Sequence, residues 1–165
     1  MDNLLRLIAD IQHIMLQRGL TLSTAESCTS GRIASSITSI DGSSGYFQGG
    51  LIAYQDHLKI AHLGVSASDI ERFDVVSQPV VEQMVRGACA LFHTDFALAS
   101  TGYTGGGTAD IPAGTVWIGW GRPGDVHSLC LTGDLGRQAN TQRAVDTVLQ
   151  CFRDYLSDSI SNVTL

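Results

Sequence analysis

Apolar residues recur at intervals of three and four positions in several stretches of the chain, a spacing that predicts amphipathic helices. The first stretch covers residues 3–18 and is followed by Gly19, a residue type that commonly ends helices. A second follows residue 31, a third begins at Ser77 with Pro79 in its first turn, and the last covers about residues 137–156. Shorter helices are predicted over residues 55–63 and after Ser66. The predicted buried stripes are Leu4, Ile8, Ile11 and Met15; Ile33, Ile37 and Ile40; Val81, Met84, Val85, Ala88 and Leu91; and Ala144, Val145, Val148, Phe152 and Tyr155.

Five short apolar segments bounded by turn residues predict strands, over residues 20–25, 46–54, 95–100, 114–120 and 126–132. The first three alternate with helices, whereas the last two form a hairpin across residues 122–125. This order predicts an α/β fold, a three-layer α/β/α sandwich with a mixed, mostly parallel sheet. We expect one domain over residues 1–157 and a flexible tail over 158–165.

Charge and cysteine content narrow the classes of function. The net charge of −6 repels phosphate backbones, so no nucleic-acid partner is expected. No apolar run approaches the ~18 residues of a membrane span, and no membrane partner is expected. The four cysteines form no CxxC pair, and the histidines lack metal-ligand spacing, so neither disulfides nor a metal site is predicted. Free thiols suit a reducing compartment, and we expect a cytoplasmic protein.

Ser27 lies at the junction between a predicted strand and the next predicted helix. In open α/β sheets, ligands bind beyond the carboxyl ends of strands, where a helix N-terminus offers unpaired N–H groups. A serine there could attack an acyl carbon beside donors that stabilise an oxyanion. Serine is also a common helix N-cap, and the local pattern alone favours that second interpretation.

Lys59 is the only lysine in the chain, because the other nine of the ten basic residues are arginines. A desolvated lysine can become a base near neutral pH, which an arginine cannot. Tyr54 lies five residues earlier, so both side chains could point towards the same edge of the sheet. Serine, lysine and tyrosine together are an alternative to the Ser-His-Asp triad for acyl transfer. A solvated lysine on a helix face is the competing interpretation.

The glycine-rich segment 101–107 follows a predicted strand. Its backbone N–H groups could hold a phosphate or a ribose. It matches neither the Walker motif nor GxGxxG, and a flexible connector is the alternative.

Residues 24–31, which read TAESCTSG, resemble the TAESCTGG signature of the CinA C-terminal domain family. The stretch from Asp41 to Lys59 is similar to the GSS…Y(x4)K stretch of that family, and residues 63–66, 76–79, 101–102 and 112–117 follow in the order of the family. The resemblance covers roughly residues 5–156. The amino-terminal molybdopterin-binding-like domain of full-length CinA has no counterpart here, so we expect a stand-alone form.

The resemblance implies a cofactor-free and metal-free amidohydrolase of pyridine nucleotide recycling, which converts nicotinamide mononucleotide to nicotinate mononucleotide and ammonia. It implies that Ser27 is the nucleophile and that Lys59 and Tyr54 activate it and relay protons. The N–H groups of residues 27–31 would stabilise the oxyanion, and a homodimer is implied. The implied substrate-binding residues are Thr29, Ser30, Gly31, Thr101, Gly102, Thr104, Gly105 and Arg137.

The chain departs from the family pattern mainly around the nucleotide. A glycine of the CTGG block is Ser30, and the GxAGPxGG loop is shortened to residues 102–107 without its proline. The GDRxxVR pattern is blurred at residues 133–137, so Arg137 or Arg143 would have to replace an arginine. The alternative function is therefore a catalytically inactive paralogue that acts as a nucleotide-binding or regulatory module.

Overall fold

The structure, a computed structural model, describes residues 3–161 and alternates between helices and strands as the hydrophobic pattern predicts. Residues 1, 2 and 162–165 lie outside this described part, and with them half of the predicted flexible tail. The last helix continues to Ser161, beyond the predicted end at Leu156. The strands are β1 (Leu22–Glu26), β2 (Phe47–Ile52), β3 (Phe96–Tyr103), β4 (Thr115–Arg122) and β5 (Asp125–Leu131). The helices are α1 (Asn3–Arg18), α2 (Arg32–Ile37), α3 (Asp56–Leu63), α4 (Ala67–Phe73), α5 (Gln78–Phe92) and α6 (Arg137–Ser161), with a short 3-10 helix at Ser43–Gly45.

The strands form one mixed sheet in the order β2-β1-β3-β4-β5, with helices on both faces. β1 pairs in parallel with β2 and β3, and the β4–β5 hairpin adds two antiparallel pairings. The predicted α/β/α class with a mixed sheet is confirmed. Since Glu26 at the end of β1 pairs with Ile52 and with Ser100, the carboxyl ends of the three parallel strands meet at one edge of the sheet.

Small residues line the sheet face that α5 covers. Ala97 and Ala99 are fully buried there, and a Cβ atom at Gly119 would lie 2.9 Å from a methyl group of Val85. The absence of side-chain bulk lets α5 pack close to the sheet. The buried stripe of α5 is Val80, Val81, Met84, Val85, Ala88 and Cys89. The prediction that Leu91 belongs to this stripe is wrong, because its side chain is 42% exposed.

Large side chains fill the opposite layer, between the sheet and helices α1, α2 and α6. Leu98 and Ile118 project from the sheet and are fully buried. Phe96 packs edge-on against Phe152 of α6, with 5.7 Å between the ring centroids. In the described part of the chain, neither α6 nor any other helix is long and apolar enough to cross a membrane.

The two glycines of β2 serve contacts inside the protein. The pairing of β1 with β2 shifts register between Leu22 and Ser23, which is an irregularity in the parallel ladder. A Cβ atom at Gly49 would lie 3.2 Å from the ring of Phe92, and one at Gly50 would collide with the Thr24 hydroxyl. Close approach of neighbouring side chains therefore accounts for both glycines.

Helix α3, which carries Lys59, contacts α5 at Gly87. A Cβ atom at residue 87 would lie 2.7 Å from the Leu63 Cα and would collide with the Leu63 carbonyl oxygen. Backbone cannot move aside as easily as a flexible side chain can. Gly87 therefore determines how closely α3 packs against α5.

We expect Gly87→Ala to lower the free energy of unfolding by about 1–3 kcal/mol, because the backbone of Leu63 must shift. In an ordinary helix interior, Gly→Ala raises the free energy of unfolding by about 0.5–1 kcal/mol. A decrease in Gly87→Ala would therefore show that the contact with Leu63 is close. Urea denaturation measures it. Arg86→Ala is the control on the same helix, since this arginine is half exposed and is expected to change stability by less than about 0.5 kcal/mol. A Gly87→Ala variant as stable as the native protein would contradict the close contact.

Candidate active site

A cavity of about 360 Å³ opens at the carboxyl edge of the parallel strands. Thr29 and Ser30 line a smaller adjoining cavity of about 100 Å³, which shares Cys28, Thr104 and Arg137 with the larger one, and Gly31 lines neither. The larger cavity brings together eight of the residues that the sequence singled out: Ser27, Tyr54, Lys59, Thr101, Gly102, Thr104, Gly105 and Arg137.

The buried carboxylate of Glu26 caps helix α2. Its oxygens accept hydrogen bonds from the backbone N–H groups of Gly31 (3.1 Å), Ile33 (3.0 Å) and Ala34 (2.8 Å). The N-cap residue of α2 is Gly31, in the left-handed conformation. The interpretation of Ser27 as the helix cap is therefore wrong, and Ser27 stands one turn outside the helix.

The hydroxyl groups of Thr29 and Ser100 extend the hydrogen-bond network of Glu26. The Thr29 hydroxyl donates to Glu26 at 2.6 Å and lies 2.6 Å from the Ser100 hydroxyl. Because the Thr29 proton goes to the carboxylate, Ser100 must be the donor of the second bond. Thr29 as a whole residue is 0% exposed, so its side chain and its backbone are both buried around this network.

The backbone amides of residues 27–31 divide into two groups. Ser27 donates to the Ser100 carbonyl, Ser30 to the Ser27 carbonyl and Gly31 to Glu26. In the described part of the chain, the amides of Cys28 and Thr29 have no such acceptor. Of these two amides, that of Cys28 belongs to a partly exposed residue of the larger cavity, whereas Thr29 is 0% exposed.

Ser30 has a φ of 51°, in the left-handed region that favours glycine. Residue 29 and residue 31 flank it inside the same tight turn, where Gly31 also has a positive φ of 90°. Residues 30 and 31 therefore both adopt backbone conformations typical of glycine, although residue 30 is a serine. The Ser30 hydroxyl contacts the Ser27 carbonyl oxygen at 3.4 Å.

Cys28 lies beside Ser27 and also lines the cavity. Burial raises the pKa of its thiol to about 11. A protonated thiol is a weak nucleophile, so the Cys28 side chain is poorly suited to nucleophilic attack near neutral pH.

Lys59 is 1% exposed, which overturns the interpretation of a solvated helix-face lysine. Its Nζ lies 3.4 Å from an oxygen of Asp56, whose side chain is 54% exposed. Burial lowers the pKa of Lys59 from its ordinary value of 10.5, and the Asp56 carboxylate opposes that change without cancelling it. The cavity therefore contains an amine that loses its proton more readily than a surface lysine does.

Five further residues line the cavity. Cys28 and Tyr103 lie within the predicted segments 27–31 and 101–107, whereas Asp56, Val75 and Val76 were not predicted. Tyr54, which was predicted, is 55% exposed at the cavity wall. Burial and the nearby carboxylates of Asp74 and Asp56 raise the pKa of Tyr103. The acidic residue one turn before a buried lysine is the signal that could have identified Asp56.

The glycine-rich segment is held by the sheet and by α6. Gly102 belongs to β3, where a Cβ atom would lie 2.7 Å from the Val116 Cα of the neighbouring strand. The buried Asn140 amide donates to the Thr104 carbonyl at 2.9 Å, and Thr101 donates to the Val75 carbonyl at 3.0 Å. Residues 101–104 are thus held in place, and the interpretation of a flexible connector is wrong for this part of the segment.

The two candidate arginines have different surroundings. Arg143 donates to the carbonyls of Thr132, Gly114 and Gly133 and does not line the cavity. Arg137 is exposed at the start of α6, next to Gly105, and lines both cavities. Arg137 is therefore the arginine that a ligand can reach.

This geometry defines an α/β protein with a buried amine and a serine hydroxyl in one cavity at the carboxyl edge of a mixed sheet. The family model described as CinA C-terminal domain matches residues 5–156. The chain belongs to the CinA C-terminal domain family.

Curated relatives include the nicotinamide-nucleotide amidohydrolase PncC of Shewanella oneidensis, which is 39% identical over 161 residues, 93% of this chain and 37% of that protein. A CinA-like protein of Flavobacterium psychrophilum is 41% identical over 139 residues, 83% of this chain and 33% of that protein. This chain therefore spans about a third of the length of these relatives.

Solved structures match over almost their whole length. The competence/damage inducible protein CihA from Agrobacterium tumefaciens is 35% identical, with a TM-score of 0.86 over 92% of this chain and 94% of that chain. A competence or damage-inducible protein from Enterobacter asburiae is 27% identical, with a TM-score of 0.90 over 94% and 99%. The α/β/α fold is thus shared with solved members of the family.

We expect Glu26→Gln to lower the free energy of unfolding by about 2–4 kcal/mol, because a neutral amide loses the charge-assisted bonds and turns an N–H donor towards other donors. Urea denaturation measures the loss, and hydrogen exchange at Ile33 and Ala34 should accelerate. Glu71→Gln removes an exposed charge and is the matched control. Equal stability of the two variants would show that the Glu26 contacts contribute little.

Proposed function

We propose that this protein hydrolyses the amide of nicotinamide mononucleotide to nicotinate mononucleotide and ammonia. The observation that carries the proposal is the presence of Ser27 and the buried Lys59 in one cavity. The PncC relative, whose name states this activity, supports the choice of substrate. A cytoplasmic location and a homodimer remain predictions.

In the proposed first step, the Ser27 hydroxyl oxygen attacks the carboxamide carbon. The neutral Lys59 amine takes the hydroxyl proton, directly or through Tyr54. The carbonyl oxygen becomes an oxyanion, which the amide of Cys28 at the cavity can bind. Burial of Lys59 supports this role, since the base must be uncharged before it accepts the proton.

In the second step, the C–N bond breaks and Lys59 or Tyr54 returns the proton to the leaving nitrogen, which departs as ammonia. Ser27 then carries the nicotinoyl group as an ester. Water attacks that ester with Lys59 again acting as the base, and the carboxylate product and the free Ser27 hydroxyl result.

The nucleotide part would extend from Ser27 towards Arg137. The same cavity is lined by Thr101, Gly102, Thr104 and Gly105. The exposed guanidinium group of Arg137 suits a phosphate, to which arginine can donate two parallel hydrogen bonds.

We expect Ser27→Ala to lower ammonia release from nicotinamide mononucleotide by at least about 10³-fold, because the covalent intermediate cannot form. A coupled ammonia assay measures the rate. Ser35→Ala changes an exposed serine of the adjacent helix and should leave the rate unchanged. Undiminished turnover in Ser27→Ala rules out the nucleophile assignment. No turnover in the folded native protein favours the alternative, an inactive paralogue that only binds nucleotides.

We expect the rate to rise with pH and to level off above the pKa of Lys59, below the ordinary 10.5, because only the neutral amine is a base. Lys59→Arg should abolish this rising limb and lower activity by roughly 10²-fold or more, since a guanidinium does not lose its proton. The measurement is kcat against pH.

Asp56→Asn is the matched variant for the pH profile. It removes the carboxylate that raises the pKa of Lys59, so the midpoint of the rising limb should move to lower pH. A midpoint that moves upward would contradict the assignment of that limb to Lys59. A Lys59→Arg variant that keeps full activity would show that Lys59 contributes a positive charge and no proton transfer.

A further inference from the structure

One part of the cavity is acidic and aromatic. Tyr54, Asp56 and Tyr103 line it beside Ser27. The Asp56 carboxylate is half exposed, and its contact with Lys59 is long at 3.4 Å, so it is only partly neutralised. Asp74 adds a second carboxylate next to the Tyr103 ring.

The other part of the cavity is basic. It contains Arg137, which also lines the smaller cavity, and Arg32 lines that smaller cavity alone. The Arg32 guanidinium donates to the neutral side chain of Gln138 at 2.8 Å and keeps its charge uncompensated by that contact. Asp56, Lys59 and Tyr103 do not line the smaller cavity, so the two charges are separated along the site.

Tyrosine rings and a partly exposed carboxylate attract a cation, because the ring faces are electron-rich and the carboxylate is negative. Arginine at the far part of the cavity attracts an anion. A ligand that carries a positive aromatic ring at one end and a phosphate at the other matches both parts.

We propose that this cavity selects nucleotides by the positive charge of the aromatic ring, through Asp56 and Tyr103, and rejects the neutral-ring form of the same nucleotide. This inference rests on the proposed function and adds a specificity determinant to it. It assigns recognition of the ring to Tyr103 and to Asp56, which has this role in addition to its contact with Lys59.

The test is calorimetric binding to the Ser27→Ala variant, which prevents turnover. The probes are oxidised nicotinamide mononucleotide, its reduced dihydropyridine form, which has a neutral ring, and nicotinamide riboside, which lacks the phosphate. We expect the oxidised form to bind at least about 5-fold more tightly than the reduced form. Adding Asp56→Asn or Tyr103→Leu should reduce that ratio by roughly 3- to 10-fold.

Matched variants separate charge recognition from general damage to the cavity. Tyr103→Phe keeps the ring and should keep the ratio, and Asp41→Asn removes an exposed carboxylate that does not line the cavity. Arg137→Gln should weaken binding of the mononucleotide relative to the riboside and leave the oxidised-to-reduced ratio unchanged.

Equal affinity for the two ring forms, binding of neither form, or a ratio unchanged by Asp56→Asn overturns the inference. These outcomes are distinct from failure of the proposed function, which ammonia release by the native protein decides. If the protein prefers the oxidised ring but releases no ammonia, the cavity is a charge-selective binding site and the proposed function fails. If it releases ammonia without preferring the oxidised ring, Asp56 and Tyr103 do not recognise the ring charge.

Discussion

The bond network around the Glu26 carboxylate is the constraint on which the site depends. A single buried carboxylate satisfies the first N–H groups of α2 from the end of β1, and the Thr29 hydroxyl fills its remaining acceptor capacity. This arrangement turns the chain sharply after Glu26 and leaves Ser27 at the cavity, followed by the amides of Cys28 and Thr29, which have no backbone acceptor among the described residues. Packing alone would not determine the direction of those amides, whereas hydrogen bonds to a fixed carboxylate do.

Packing determines the position of Lys59 and lowers the pKa of its amine. Its helix is pressed against α5 at Gly87, and burial disfavours its charged form. The nearby Asp56 moderates that effect and also gives the cavity a negative charge. The reactivity of the amine and the charge of the ligand site are therefore linked through one carboxylate, and a change at Asp56 affects both.

The sequence predicted every strand and most of the cavity, because both depend on local patterns. Hydrophobic spacing identified the elements, and the strand-to-helix junctions placed Ser27, Lys59 and Tyr54 at one edge of the sheet. It could not predict the role of Glu26, since nothing local shows that a carboxylate reaches residues five to eight positions ahead. Gly102 was assigned to a ligand loop although close approach of Val116, which is distant in the sequence, also requires it. Arg143 was an open alternative until its carbonyl partners were seen.

The parallel arrangement of β1, β2 and β3 has a consequence for how the protein acquires its site. Ser27 follows β1, Lys59 follows β2 and Arg137 begins the last helix, so no stretch of neighbouring residues contains the cavity. The pairing of β1 with β3 joins residues more than 70 positions apart, and such non-local contacts form slowly. The β4–β5 hairpin can form early from local contacts but contributes none of the residues around Ser27. During folding, the site therefore forms only when β1, β2 and β3 have paired and α6 has packed against the sheet.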